Sequence, residues 1–238
     1  MDIVLVHGAW HGGWCWRKLA PFFASSNHRL FAPTLSGLGE RSHIAANSIS
    51  LETHINDIVS LLQYEDIKEC VLVGHSYAGM VISGVVNRLP ERIAHLIYVD
   101  AVIPKNGESF VECVPKWTGL RERILATEGF TVKPIYSGKP FGITNAEDIS
   151  WVHTKITPHP TMTLTDKLLF DETLIEMTPK TYLHCIADLP EQAFEGPPVS
   201  RTKNKQGWTY YGLPVGHDIM IIAPGLLSGI IMDITSMK

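Results

Sequence analysis

Cysteine is scarce in this chain. Four residues in 238, Cys15, Cys70, Cys113 and Cys185, stand far apart with no Cys-x-x-Cys spacing. That argues against a zinc ribbon, a redox dithiol or a disulfide-stapled scaffold, so all four read as separate thiols. Excess charge of one sign is also missing. Lys plus Arg number 20 against 24 Asp plus Glu, for a net charge of −4. Nothing in that balance would draw the protein to nucleic acid or to an anionic bilayer. No apolar run reaches the length of a membrane span. Residues Met1 to Gly8 lead straight into a strand pattern, without the charged start, apolar centre and cleavage site of a secretory leader, so the expected location is cytoplasmic.

Histidine is abundant, with eleven residues. His7 and His11 are four apart, but Gly8, Gly12 and Gly13 oppose a helix that would set both on one face. No cysteine or carboxylate cluster joins them, so neither a metal nor another cofactor is expected. With 45% hydrophobic residues the chain can build one large core.

The informative stretch is Cys70 to Gly79, Cys-Val-Leu-Val-Gly-His-Ser-Tyr-Ala-Gly. Its apolar start reads as a buried strand, and Ser76 to Leu89 reads as an amphipathic helix. A serine at the apex of a strand–turn–helix is the setting of a nucleophile elbow. Such a turn needs small neighbours. Gly74 precedes the serine by two and Ala78 follows by two, where the usual pattern has a second glycine.

Further strands are predicted at Ile3 to Val6, Arg29 to Ala32, Ala94 to Val99, Thr181 to Ile186 and Trp208 to Leu213. Helices are predicted at Trp14 to Ala24, after Ser50, and at Pro224 to Ile234. Ser50 is a good cap, but Ser50-Leu51-Glu52-Thr53 lacks the usual capping-box acid or amide. The strands are continuous apolar runs, which implies a mostly parallel α/β sheet covered by helices on both faces. Between residues 105 and 179 the alternation fails, and aromatics including Trp117, Phe141 and Trp151 mix with prolines and glycines. This segment is expected to be an inserted, mainly helical cap on a core formed by residues 1–104 and 180–238.

In a parallel sheet the site gathers at the C-terminal ends of strands. Ser76, Asp188 and His217 occupy such ends in the chain order Ser, Asp, His. Asp100 also ends a strand and is the alternative acid, ranked second. A serine hydroxyl needs an adjacent base, and the base needs an orienting carboxylate. His75 should point away from the hydroxyl and be structural. The oxyanion of an acyl-transfer intermediate needs two backbone N–H donors. Tyr77, at the start of the elbow helix, and Ala9, after the first strand, are the expected pair. Gly8 would let the backbone approach closely. Gly8 and Trp117 are the expected substrate contacts.

His7-Gly8 through Trp14, the Gly-His-Ser-x-Ala-Gly elbow and Gly216-His217 together resemble the α/β-hydrolase superfamily. More narrowly, the chain is similar to the group of plant methylesterases, the salicylate-binding esterase and the plant hydroxynitrile lyases. Leu35 to Ser42 and Tyr98 to Ala101 are similar to its bacterial members. The resemblance implies a cofactor-free serine carboxylesterase acting on a small, largely apolar or aryl ester, and a possible homodimer. Lyases of this group carry threonine where Gly8 stands and lysine where Asp218 stands. A carboxylate at 218 would repel cyanide, so ester hydrolysis is favoured over lyase chemistry. A lactonase, an acyltransferase or a non-catalytic small-molecule receptor on the same scaffold are the other readings.

Overall fold

The computed structural model describes residues 1–114, 118–134, 140–187 and 198–236. Eight strands run in chain order: β1 (Asp2–Val6), β2 (Arg29–Phe31), β3 (Cys70–His75), β4 (Ile93–Val99), β5 (Thr131–Val132), β6 (His159–Pro160), β7 (Lys180–Cys185) and β8 (Trp208–Leu213). Six of them form one sheet in the order β2-β1-β3-β4-β7-β8, with every neighbouring pair parallel. Every residue of β3 and β7 is buried. Continuous apolar strands in the sequence thus correspond to strands covered on both faces. The edge strands β2 and β8 are partly exposed.

Three helices matter most for the site: α1 (Leu51–Tyr64), α2 (Ala78–Arg88) and α3 (Pro224–Ser236). The start of α1 carries a full capping box after all. Thr53 Oγ1 accepts the Ser50 N–H at 3.1 Å, and Ser50 Oγ accepts the Thr53 N–H at 3.3 Å. Threonine thus does the work expected of glutamate or glutamine. The predicted helix at 14–24 is instead a 3-10 turn, Gly13–Leu19, followed by one α-turn, Ala20–Phe23. Its start is pressed onto a neighbouring backbone, since a Cβ on Gly13 would lie 2.1 Å from the Ala32 carbonyl oxygen. Between β4 and β7 the chain leaves the main sheet and forms short helices and the antiparallel β5–β6 pair.

Register brings the site together. Val6 pairs with Gly74, and His75 pairs with Val99. The chain leaving β1 therefore runs beside the turn after β3. The Ser76 N–H donates to Val99 O (3.1 Å) and the Asp100 N–H to Leu183 O (2.7 Å). The chain turns to β2 on one side of β1 and to β4 on the other side of β3, which opens a crevice at the sheet's C-terminal edge.

Several histidines under this edge are fully buried and neutral. Burial lowers His7 to about 3 and His54 to about 4, and drives His159 well below its ordinary value. Each has a defined tautomer. His7 donates Nδ1–H to Gly8 O and accepts the Leu35 N–H at Nε2. His54 donates Nε2–H to Ser36 O and accepts the Tyr77 hydroxyl at Nδ1. His159 accepts the Trp10 N–H at Nδ1 and donates Nε2–H to Thr163 Oγ1. In the unfolded chain these rings take up protons below their ordinary value near 6.5, whereas the folded chain resists doing so until far lower pH. Stability is therefore full above about pH 6.5 and falls as pH drops toward about 4. Urea midpoints measured across that range should decline steadily, and His54→Gln should flatten the decline.

Candidate active site

Ser76 sits at the apex between β3 and α2 with φ at +54°. A non-glycine residue in this left-handed region is strained, and it persists only when its surroundings fix it. Here they do so by leaving no room. A Cβ on Gly74 would meet Ile82 Cδ1 at 2.8 Å and the Ala78 carbonyl oxygen at 3.0 Å. One on Gly79 would lie 1.9 Å from Val102 O. One on Gly8 would meet His75 Nδ1 at 2.8 Å and Ser76 Cβ at 2.9 Å. Strand, helix and the loop after β1 thus close around the serine at backbone distance. Ser76 itself stays partly exposed.

His217 lies in the loop after β8, and Asp100 ends β4. The His217 Nδ1–H donates to Asp100 Oδ2 at 2.5 Å. Asp100 Oδ1 accepts the Cys185 N–H at 3.1 Å, so both carboxylate oxygens are held. Asp100 also has positive φ, +44°, as do Trp10 (+64°) and Phe141 (+57°). Among the described residues six non-glycine positions have positive φ, and these four all gather at this edge. The alternative acid of the sequence analysis therefore meets the imidazole's Nδ1. Both Asp188 and Trp117 lie outside the described residues.

The imidazole is shifted by two opposed effects. Burial lowers the proton affinity of His217, but the hydrogen bond and charge of Asp100, with the charge of Asp218, outweigh it, and the net shift is upward. His75 has the structural place expected of it. It is buried, driven well below its ordinary value by burial and by His217 and His11, and its Nε2–H donates to His217 O at 3.0 Å. The two rings stand 4.5 Å apart, centroid to centroid. The residue before the serine thus grips the backbone of the histidine.

Tyr77 is fully buried and its N–H lies at the start of α2, where helix N–H groups lack intrahelical acceptors. Gly8 passes directly beside the serine, and Ala9, buried, follows it in the same loop. Trp10, next along, fastens this loop to the segment between β4 and β7. Its indole N–H donates to Val132 O at 3.0 Å, and its carbonyl accepts the Thr157 N–H at 3.0 Å. Phe141 packs 6.3 Å from the rings of both Trp10 and His217.

Among the described residues, one group of side chains could hold a metal ion: His75, His217 and Asp218, with ligand atoms within 4.8 Å of one another. One nitrogen of each ring is already engaged, with His217 O and with Asp100. His7 and His11, the pair four apart, serve the loop after β1 instead: each donates Nδ1–H to a carbonyl there, Gly8 O and Ala9 O.

The alpha/beta hydrolase family model matches residues 3–225. The chain is 33% identical to the carbendazim hydrolyzing esterase of a Nocardioides strain, over 95% of this chain and 96% of that protein. It is 34% identical to methylesterase 3 of Arabidopsis thaliana, over 53% of this chain and 48% of that one, so the match spans about half of the plant protein. Among solved structures, an extracellular alpha/beta-hydrolase from a Paenibacillus species superposes with a TM-score of 0.83 at 20% identity, covering 98% of each chain. An Arabidopsis methylesterase superposes at 0.78, also at 20% identity, over the full length of both. These structural likenesses speak for the fold.

The close approach at Gly8 yields a direct test. Gly8→Ala should cost about 1–3 kcal/mol of stability through overpacking against His75 and Ser76. A urea titration measures this. A variant as stable as wild type would show that the loop has room the distances deny.

Proposed function

The chain belongs to the alpha/beta hydrolase family and is an esterase, and we propose that it hydrolyses small, largely apolar or aryl carboxylic esters through an acyl-enzyme on Ser76. The observation that carries this reading is the 2.5 Å bond from His217 Nδ1 to Asp100. It leaves Nε2 of the same ring as the base.

In this mechanism Ser76 Oγ attacks the acyl carbon while its proton passes to His217 Nε2. Asp100 holds the ring in the required tautomer and stabilises the imidazolium. The negative charge that develops on the carbonyl oxygen meets the N–H groups of Tyr77 and Ala9. The Tyr77 donor is favoured by the helix start, and the Ala9 donor by the packing of Gly8 on Ser76. As the tetrahedral intermediate collapses, His217 gives its proton to the leaving alkoxide and the alcohol departs. Water then attacks the acyl-enzyme with His217 again as base, and the carboxylic acid is released. No group beyond these side chains and water is needed for the balance of atoms.

The substrate class draws on two supports. Trp10 and Phe141 bring aromatic surface to the His217 loop. Relatives named for their substrates include Arabidopsis methylesterases and a methyl jasmonate esterase of Vitis vinifera. Small alkyl leaving groups, methyl first, are the corresponding expectation here.

Hydrolysis of p-nitrophenyl acetate tests the serine. Equal rates for wild type and Ser76→Ala would end the proposal. The acid limb of the kcat/KM profile should have its midpoint above the ordinary histidine value of about 6.5, because the base must be neutral and its proton affinity is raised. Asp100→Asn should move that limb down and reduce kcat by about 10⁴-fold at neutral pH. Full activity in Asp100→Asn, with loss in Asp188→Asn, would reassign the acid.

A further inference from the structure

Behind the histidine lies a second carboxylate–imidazole pair that the hydrolytic steps do not use. His11 and Asp218 are 1% and 0% exposed, and His11 Nε2 stands 3.0 Å from Asp218 Oδ2. The other ring nitrogen, Nδ1, lies 2.8 Å from the Ala9 carbonyl oxygen. A carbonyl only accepts, so Nδ1 carries a hydrogen. A neutral ring would then turn a bare lone pair toward a carboxylate. The contact is attractive only if the pair holds one further proton, which it shares between nitrogen and oxygen.

The two ends of this pair are the two parts of the site that the sheet does not fix. One end is Ala9, in the loop after β1. The other is Asp218, next in the chain to His217. The ring between them is clamped by Trp14, stacked at 5.3 Å, and by Phe141, edge-on at 5.0 Å. The Asp218 N–H donates to Phe141 O at 3.0 Å. Asp218 Oδ1 has no hydrogen-bond partner among the described residues and lies 3.8 Å from His75 Nε2.

We propose that His11 and Asp218 are positioning residues, a buried proton-sharing tether that sets the distance between the Ala9 peptide and the His217 loop. The proposal rests on the roles given to Ala9 and His217 above. The tether holds an oxyanion donor and the general base at one spacing, which matters because a misplacement near 1 Å can cost about a hundredfold in rate. A carboxylate at this position also faces the base. Among the described residues, the charged or titratable groups around His217 are Asp100 from the end of β4, His75 from β3 and Asp218 from its own loop.

The test compares three variants by kcat and KM on p-nitrophenyl acetate. His11→Phe and Asp218→Leu each break the tether, and should lower kcat about tenfold to a hundredfold with KM changed less than about threefold. Their double variant should lose little more, because one contact has been removed twice. Asp218→Asn can donate its amide N–H to a neutral His11 Nε2, so the tether survives with the shared proton lost and the net charge of the pair unchanged. It should keep at least ten times the kcat of Asp218→Leu, with KM close to that of wild type. Wild-type kcat in both tether-breaking variants, or an Asp218→Asn as slow as Asp218→Leu, overturns the proposal. Should those two fail to fold, an Asp218→Asn whose kcat falls more than about a hundredfold below wild type overturns it alone. A crystal structure separates this outcome from failure of the catalytic reading. In Asp218→Leu, or in Asp218→Asn if the leucine variant does not fold, the Ala9 carbonyl and the His217 ring are read directly. Displacement in Asp218→Leu, or retention in Asp218→Asn, supports the tether whatever the activity; undisplaced atoms in Asp218→Leu, or a broken His11 contact in Asp218→Asn, sink it.

Discussion

The structure depends on a crowding of backbone around one residue. Ser76 holds a left-handed conformation because β3, α2, the loop after β1 and the segment at Val102 meet at distances that no Cβ could share. Gly74, Gly79 and Gly8 are the points of contact. This constraint explains why Ala78 can stand where the usual elbow has glycine. The Ala78 carbonyl faces Gly74, so the closest approach at this point falls on Gly74 and not on the Ala78 side chain. The strain at Ser76 is thus balanced by packing spread over four segments. In return, the hydroxyl stands at the crevice with solvent access.

Around that apex the polar groups are sorted by charge. His7, His54, His75 and His159 are buried and neutral, each with its hydrogen-bond roles largely fixed by carbonyls, hydroxyls and N–H groups. They act as rigid spacers between loops. His217 differs because carboxylates face it, and they outweigh its burial. The same residue type therefore supplies neutral scaffolding at four positions and a ring of raised proton affinity at one. Two things separate His217 from the other four: a carboxylate hydrogen-bonded to its ring, and a side chain about a third exposed where theirs are buried.

Much of this was legible in the residues. Buried parallel strands announce themselves as continuous apolar runs, and the main-sheet strands fall within a residue or two of the patterned segments. Ser76 and His217 could be picked out because a turn and a terminal loop are local features. The carboxylate partner of His217 could not, because both Asp100 and Asp188 follow strand patterns in the sequence and only three-dimensional register decides which carboxylate meets Nδ1. The pairing of His75 with Val99 sets Asp100 beside the elbow, and no spacing rule conveys that. The role of His11 was missed for a similar reason. Its four-residue spacing from His7 invited a metal question, while its partner Asp218 is 207 positions away. Only the opposite character of Asp218 to a lysine at that place drew notice. The Thr53 capping box was missed because hydroxyls form such boxes less often than longer acceptors do.

The segment between β4 and β7 is joined to the His217 loop by backbone and ring contacts. Gly142 and Gly216 meet so closely that a Cβ on either would fall within 2.8 Å of the other's backbone. Phe141 O accepts the Asp218 N–H, and the Phe141 ring faces both His11 and His217. At its other end the segment takes up Trp10 from the Ala9 loop through Val132, Thr157 and His159. The segment between β4 and β7 and the His217 loop therefore share the same contacts. A change in this segment that moves Phe141 must also move the backbone that carries His217. Specificity and rate should accordingly vary together when residues 140–142 are altered, and more independently when substitutions fall on the segment's outer helices.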